Sequence, residues 1–317
     1  MYTMAYDIQV GDYTVGMLDK VEIHRSVELL ADTAVITLPG SEYNAALEVE
    51  DKISRGEKVV IKLGYRETGL KEEFRGYIQR IGSDNGSITI ECEDDIFLFR
   101  KAIADKQMTN VGITELLEYV ASQIDPGIKV DCTYDWKYEN FVANGTTGYD
   151  VLAKVQEDSG ADIYMADNTL HVHPPASQVG DEVYYDFSRN IEKCDLKYMK
   201  AENRKIRIVV KGLKPDGSVK EIEVGDAGGD KVEIRCTSSD DASMKARGES
   251  ELKRRSFTGY DGNITTWLLP YVKPSDSANL HDRDYEYKDG RYYVQAVTTT
   301  FSKDGGARTV ELGFRLS

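Results

Sequence analysis

Arg75-Gly76-Tyr77-Ile78-Gln79-Arg80-Ile81 and Arg291-Tyr292-Tyr293-Val294-Gln295-Ala296-Val297 share one pattern, R-x-Y-[IV]-Q-x-[IV]. Each stretch runs into a glycine turn, Asp84-Asn85-Gly86 in the first and Asp304-Gly305-Gly306 in the second. A strand with a T-[IV]-E core follows each turn: Ile88-Thr89-Ile90-Glu91, then Arg308-Thr309-Val310-Glu311. Alternating residues point to opposite faces of a strand, and glycine or asparagine supplies the positive φ of a tight hairpin. Both stretches therefore read as hairpins. Their likeness predicts a duplicated β-unit, one copy near each end of the chain.

Working outward, three regions differ. Residues 1–102 alternate strand-like runs with turns: Thr33 to Leu38 is β-branched and stops at Pro39-Gly40, and Val59, Ile61 and Leu63 share a face. Residues 103–175 carry helices. Ile113, Leu116, Leu117, Val120 and Ile124 lay an apolar stripe at helical spacing, stopped by Asp125-Pro126-Gly127. A second helix starts at Thr147, with Asp150 placed to complete a capping box, and ends near Gly160. A hairpin through Asp167-Asn168 follows, and Pro174-Pro175 breaks its second strand. Residues 176–317 return to strands, with a turn at Pro215-Asp216-Gly217 and one helix over about 240–255. That helix has a thin apolar stripe, which predicts a place on the surface or at a subunit contact.

Composition excludes several classes. The 317 residues carry 40 basic and 55 acidic side chains, a net charge of −15, with no clustered basic face for phosphates, so no specific nucleic-acid binding is expected. No apolar run is long enough to span a bilayer and the N-terminus lacks a signal-peptide pattern, so no membrane insertion is expected. Cys92, Cys132, Cys194 and Cys236 are scattered and read as free thiols. There is no P-loop, G-x-S-x-G elbow or H-E-x-x-H helix. His171-Val172-His173 has ligand-like spacing, but zinc needs two more ligands and Pro174 ends the strand. His24 and His281 read as lone surface residues. The expectation is a chain with no catalytic, cofactor-binding or metal residues, no cofactor, and no enzymatic activity.

Several segments, taken in order, resemble the baseplate hub proteins of contractile phage tails and phage-tail-like particles (the Mu-type, late-control D and PBSX-type hubs). Val21 to Ser26 and Asp32 to Pro39 are similar to the opening strands of these hubs. Phe74-Arg75-Gly76-Tyr77-Ile78 with Glu91-Cys92-Glu93-Asp94-Asp95 matches their central passage, and Tyr149 to Val172 their helix-plus-hairpin insert. Gly259-Tyr260-Asp261-Gly262, Pro270 to Pro274 and Asp289 to Val297 complete the pattern, with Ser275 standing where such hubs often carry glycine.

The resemblance implies a mainly β fold with an α+β insert. Two tail-tube-like β-barrel domains (1–102 and 176–317) would flank a small α/β domain (103–175). It implies a structural hub that joins a sixfold tail tube to a threefold spike as a homotrimer. Its partners would be the tail tube protein, the spike, and other baseplate and tape-measure proteins. Such a chain is made in the bacterial cytoplasm and incorporated in a virion tail or tail-like particle. Because the chain stops after its last strand, spike and lysozyme are expected as separate proteins. The competing readings are another β-rich tail adaptor or host-binding protein, and a tail-associated peptidoglycan hydrolase. The acidic excess, if it lined a bore, would repel a polyanionic cargo.

Overall fold

The computed structural model describes residues 2–39, 52–84, 87–214 and 216–317; the expected turn residues Gly40, Asn85, Gly86 and Pro215 lie outside them. The fold is mainly β. Seven strands form the first unit: β1 (Met4–Val10), β2 (Tyr13–Thr14), β3 (Lys20–Ser26), β4 (Thr33–Pro39), β5 (Lys58–Tyr65), β6 (Gly69–Asp84) and β7 (Ser87–Glu93). Val59, Ile61 and Leu63 turn inward on β5, as Ile88, Ile90 and Cys92 do on β7, and all six join one apolar core.

A 3-10 turn, Asp95–Arg100, leads into the insert. β8 (Lys106–Gly112), α1 (Ile113–Ile124), β9 (Lys129–Cys132), β10 (Lys137–Ala143), α2 (Gly148–Ser159), β11 (Asp162–Ala166) and β12 (Thr169–His173) follow. The expected stripe of α1 is buried at every position from Ile113 to Ile124. Thr147 and Asp150 form the capping box at α2, and Gly160 closes that helix at φ +69. The β11–β12 turn uses positive φ at Asp167 and Asn168, the two-residue hairpin geometry.

The closing region comprises β13 (Glu182–Asp186), β14 (Lys193–Met199), β15 (Ile206–Leu213), β16 (Val219–Gly225), β17 (Asp230–Cys236), α3 (Asp241–Arg255), β18 (Gly259–Thr266), β19 (Ser277–His281), β20 (Gly290–Ser302) and β21 (Gly305–Arg315). Its strands part company. β15, β16 and β17 make their own sheet, and Ile208, Val210, Cys236 and Met244 join the core of the insert. The remaining strands share a separate core around Tyr185, Tyr292, Val294 and Leu312.

The helix α3 lies on the surface, with Asp241, Lys245, Glu249, Lys253 and Arg255 exposed, and packs its other face onto the β15–β16 sheet, where Met244 is fully buried. Its stripe looked thin because the contact is made by small residues. A β-carbon at Gly248 would lie 2.9 Å from Val224 Cγ2 and 3.2 Å from Val210 Cγ2. Gly248→Val is expected to cost about 1–3 kcal/mol by overpacking. Urea unfolding would check this, and an unchanged midpoint would contradict the packing.

Both β-units belong to one 13-stranded sheet, in which β20 joins directly to β3. No sheet closes on itself among the described residues, so the expected barrels are open sheets within the single chain. The first unit has the order β3-β4-β7-β6-β5-β1, and the second has β14-β18-β21-β20-β19-β13. Strand for strand, these are the same order. They differ at one end, where β1 runs antiparallel to β5 while β13 runs parallel to β19.

Candidate functional site

The seam where the two units meet follows from how β20 is built. One edge of β20 pairs with β21; the other pairs with β19 over Gly290–Tyr293 and then with β3 over Ala296–Ser302. The change of partner falls at Gln295, where the ladder to β21 shifts register between Val294 and Ala296. Here the Val27 N–H donates to the Gln295 carbonyl at 3.1 Å. A bulge bends its strand and redirects its edge.

Gln79 occupies the same place in the first unit, with the β6–β7 register shifting between Ile78 and Arg80. Each amide donates to a glutamate of the next strand, though not at the same place: Gln79 Nε2 to Glu93 at 3.0 Å, and Gln295 Nε2 to Glu311, the counterpart of Glu91, at 3.4 Å. Arg75 faces Val60 on β5, and Arg291 faces Asn279 on β19. The motif therefore occupies corresponding strand positions in both units.

The correspondence reaches the preceding turn. Gly56 N–H donates to the Ile78 carbonyl and Ser275 N–H to the Val294 carbonyl, at 2.8 and 2.9 Å. Gly56 has φ +90 and Ser275 has φ +71. A serine in this region carries a steric penalty that glycine avoids. Ser275→Gly should raise stability by about 0.5–1 kcal/mol, read from the thermal midpoint. A fall would show that the Ser275 side chain contributes more than its backbone costs.

Polar groups are buried across the seam. Arg308 on β21 is fully buried, donates to the Leu268 and Pro270 carbonyls at 2.5 and 2.6 Å, and pairs with Glu73 on β6. Burial pushes the Glu73 carboxyl above its usual range, and Arg308 pulls it back. Arg25 on β3 bonds Asp32 at 3.0 Å. Beside them lies a cavity of about 470 Å³, where the first β-unit, the insert and the Tyr271–Ser275 turn meet, lined by Glu73, Asp94, Asp95, Asp162 and His173 among others. Burial, with the nearby Asp32 carboxylate, raises Asp94 to about 8, and burial raises Asp162 to about 7.

Raised carboxyls in a cavity can mark acid–base chemistry, but each of these has a structural task. Asp94 accepts from Ile96 N–H and Asp32 N–H, both at 3.0 Å, and Asp162 accepts from Ala176 N–H at 2.8 Å.

Two of the histidines, His24 and His281, are placed differently from expectation. His24 bonds Thr298 across the seam through Nδ1 at 3.0 Å, and His281 Nδ1 bonds Asp289 at 2.6 Å, so neither is a lone surface residue. His171 and His173 share a face of β12, and the parallel pairing of β9 brings Asp131 beside them. One ligand-type atom from each of the three lies within 4.8 Å of the others. Both imidazoles already have protein partners: His171 Nδ1 meets Asp131 at 3.0 Å and His173 Nδ1 meets Thr133 at 2.8 Å. Burial also lowers the His173 pKa.

No protein-family model matches the chain, and no curated protein matches it. Solved structures do. A tail protein from Neisseria meningitidis MC58 aligns with a TM-score of 0.66 at 14% identity, covering 99% of this chain and 97% of that one. The 43 kDa tail protein of prophage MuSo2 from Shewanella oneidensis gives 0.66 at 15%, with 98% of both chains covered. A component of the type VI secretion system from E. coli, itself described as similar to the T4 tail proteins gp27 and gp5, gives 0.63 at 7%, covering 98% and 77%. The chain has the fold of phage tail proteins.

Proposed function

We propose that this chain is the structural hub of a contractile tail or tail-like particle, a homotrimer joining the sixfold tail tube to a threefold spike. One observation carries the reading. A single chain holds two sheet units of the same strand order, joined edge to edge at β20–β3. Three such chains present six comparable units under threefold symmetry, a closed arrangement of the usual cyclic kind. In this reading residues 1–102 and the strands β13, β14 and β18–β21 are the tube-like units, and the insert with β15–β17 and α3 stands outside the ring. The partners are the tube protein, the spike, and other baseplate and tape-measure proteins, and the role is non-enzymatic.

The sheet face opposite the cores is the wall of the bore. It carries Thr37, Thr89, Thr298, Thr300 and Thr309, with charges in pairs such as Lys20–Glu22 at 2.6 Å and Arg80–Glu91 at 2.5 Å. In this reading neutral hydroxyls and paired charges keep the wall from holding its cargo.

The test is the native mass of the purified chain, alone and with its tube protein. A trimer that caps tube ends supports the hub. A monomer in both conditions, or muropeptide release from purified peptidoglycan, overturns it.

A further inference from the structure

We propose that Asp131, His171 and His173 form a binding site for one late first-row divalent cation of the zinc class, which ties the edge strand β9 to β12. The site is independent of the hub reading.

Along the sequence only His171 and His173 have ligand-like spacing, two residues apart on one face of β12. The fold adds a third ligand. β9 and β12 run parallel with Asp131 opposite His171, which delivers a carboxylate beside the histidine pair. One ligand-type atom from each of the three lies within 4.8 Å of the others. Ligands about 2.0–2.1 Å from a tetrahedral zinc ion sit about 3.3 Å from one another, so small side-chain rotations close the set. Two imidazoles and a carboxylate suit zinc, nickel or copper, whereas calcium and magnesium take oxygen ligands. Three protein ligands leave a fourth position for water. Asp131 is exposed and His171 half-buried, so the ion and its water reach the site from solvent.

The hydrogen bonds at the site arrange it for an ion. His171 Nδ1 and an Asp131 oxygen lie 3.0 Å apart, near the separation of neighbouring zinc ligands, and a cation can replace the proton they share. Thr133 engages His173 through Nδ1 at 2.8 Å. A partner on one ring nitrogen orients a ligating imidazole to present the other, so His173 binds through Nε2. Tyr164 on β11 is opposite His171, and its ring stacks on that imidazole at 4.9 Å with 13° between the planes. Both rings are therefore held before any ion arrives.

The ion has a structural task. β9 is the outer strand of the order β11-β12-β9, and it pairs with β12 only over Lys129–Cys132. On the inner face Leu170 and Val172 of β12 are buried in the core of the insert. On the outer face the cation links the two strands directly. An ion that binds the folded chain and not the unfolded one stabilises it by mass action.

The test uses the full chain in a Cys194→Ser background, which removes the exposed native thiol, stripped with a chelator and titrated calorimetrically with Zn²⁺. One equivalent should bind and raise the thermal midpoint. His171→Ala and Asp131→Ala should each weaken binding by about a hundredfold or more, and Thr133→Val, which keeps all three ligands, by about tenfold. His281→Ala removes the His281–Asp289 pair elsewhere on the chain and should change neither affinity nor midpoint shift. Unfolding without zinc shows whether each variant is folded. Co²⁺ should give the visible absorption of a four-coordinate site only in chains that keep His171 and Asp131. A parent that binds no zinc, or whose affinity survives both His171→Ala and Asp131→Ala, overturns the site. A loss in His281→Ala as large as in His171→Ala marks chance surface binding and overturns it as well. Full affinity in Thr133→Val overturns the assignment of Nε2.

Discussion

Arg308→Met is expected to destabilise the chain by about 3–5 kcal/mol, the usual cost of removing one member of a buried ion pair. The reason is local. Arg308 is the cation paired with the buried Glu73 carboxylate, and it also serves the carbonyls of Leu268 and Pro270. Without it Glu73 must take up a proton or stay charged in an apolar seam, and two carbonyls lose their donor. Arg308→Met with Glu73→Leu should recover a good part of the loss, because an apolar pair of similar volume avoids the desolvation of both charges. A double-mutant cycle in urea isolates the coupling. If the single variants each cost under about 1 kcal/mol and simply add, the pair does not hold the seam.

What could be read in advance was what depends on near neighbours. α1 announced itself through helical spacing, and α2 through Thr147 and Asp150, because a cap is complete within four residues. The duplicated hairpin was legible because its glutamine marks a bulge that both units keep. The docking of β15–β17 and α3 onto the insert was not. It depends on a parallel pairing of β15 with β17 and on a helix face made of Ser243, Met244 and Gly248, which hydropathy does not register. Asp131 joined His171 through another parallel pairing, invisible to spacing along one strand. The sequence carries one more signal: Arg308 stands at an inward-facing position, where the matching strand has Ile88. A charge in an apolar alternation points to a buried partner, and that partner is Glu73.

Stability should peak near pH 4–5 and fall toward pH 8. Asp162 is raised to about 7 and Asp94 to about 8, both by burial. A carboxyl whose folded pKa lies above its unfolded value keeps its proton longer in the native state. Its contribution is full below the unfolded value of about 4 and is lost as pH rises through the folded value. At about 1.36 kcal/mol per unit, the Asp162 shift alone amounts to roughly 4 kcal/mol by pH 8. The opposite group is Glu233, held down to about 2 by hydrogen bonds from Lys211 and Lys231. Its stabilisation is present above its unfolded value and is lost as pH falls toward 2, which sets the acid side of the maximum. Asp162→Asn tests the basic side, since an amide oxygen can still accept from Ala176 N–H without ever carrying a charge. The variant should match the parent at pH 4 and exceed it by roughly 2–4 kcal/mol at pH 8, in urea titrations run at each pH. A parent whose stability rises steadily from pH 5 to 8, with Asp162→Asn parallel to it, would show that the Asp162 carboxylate finds a cation or water in the folded protein.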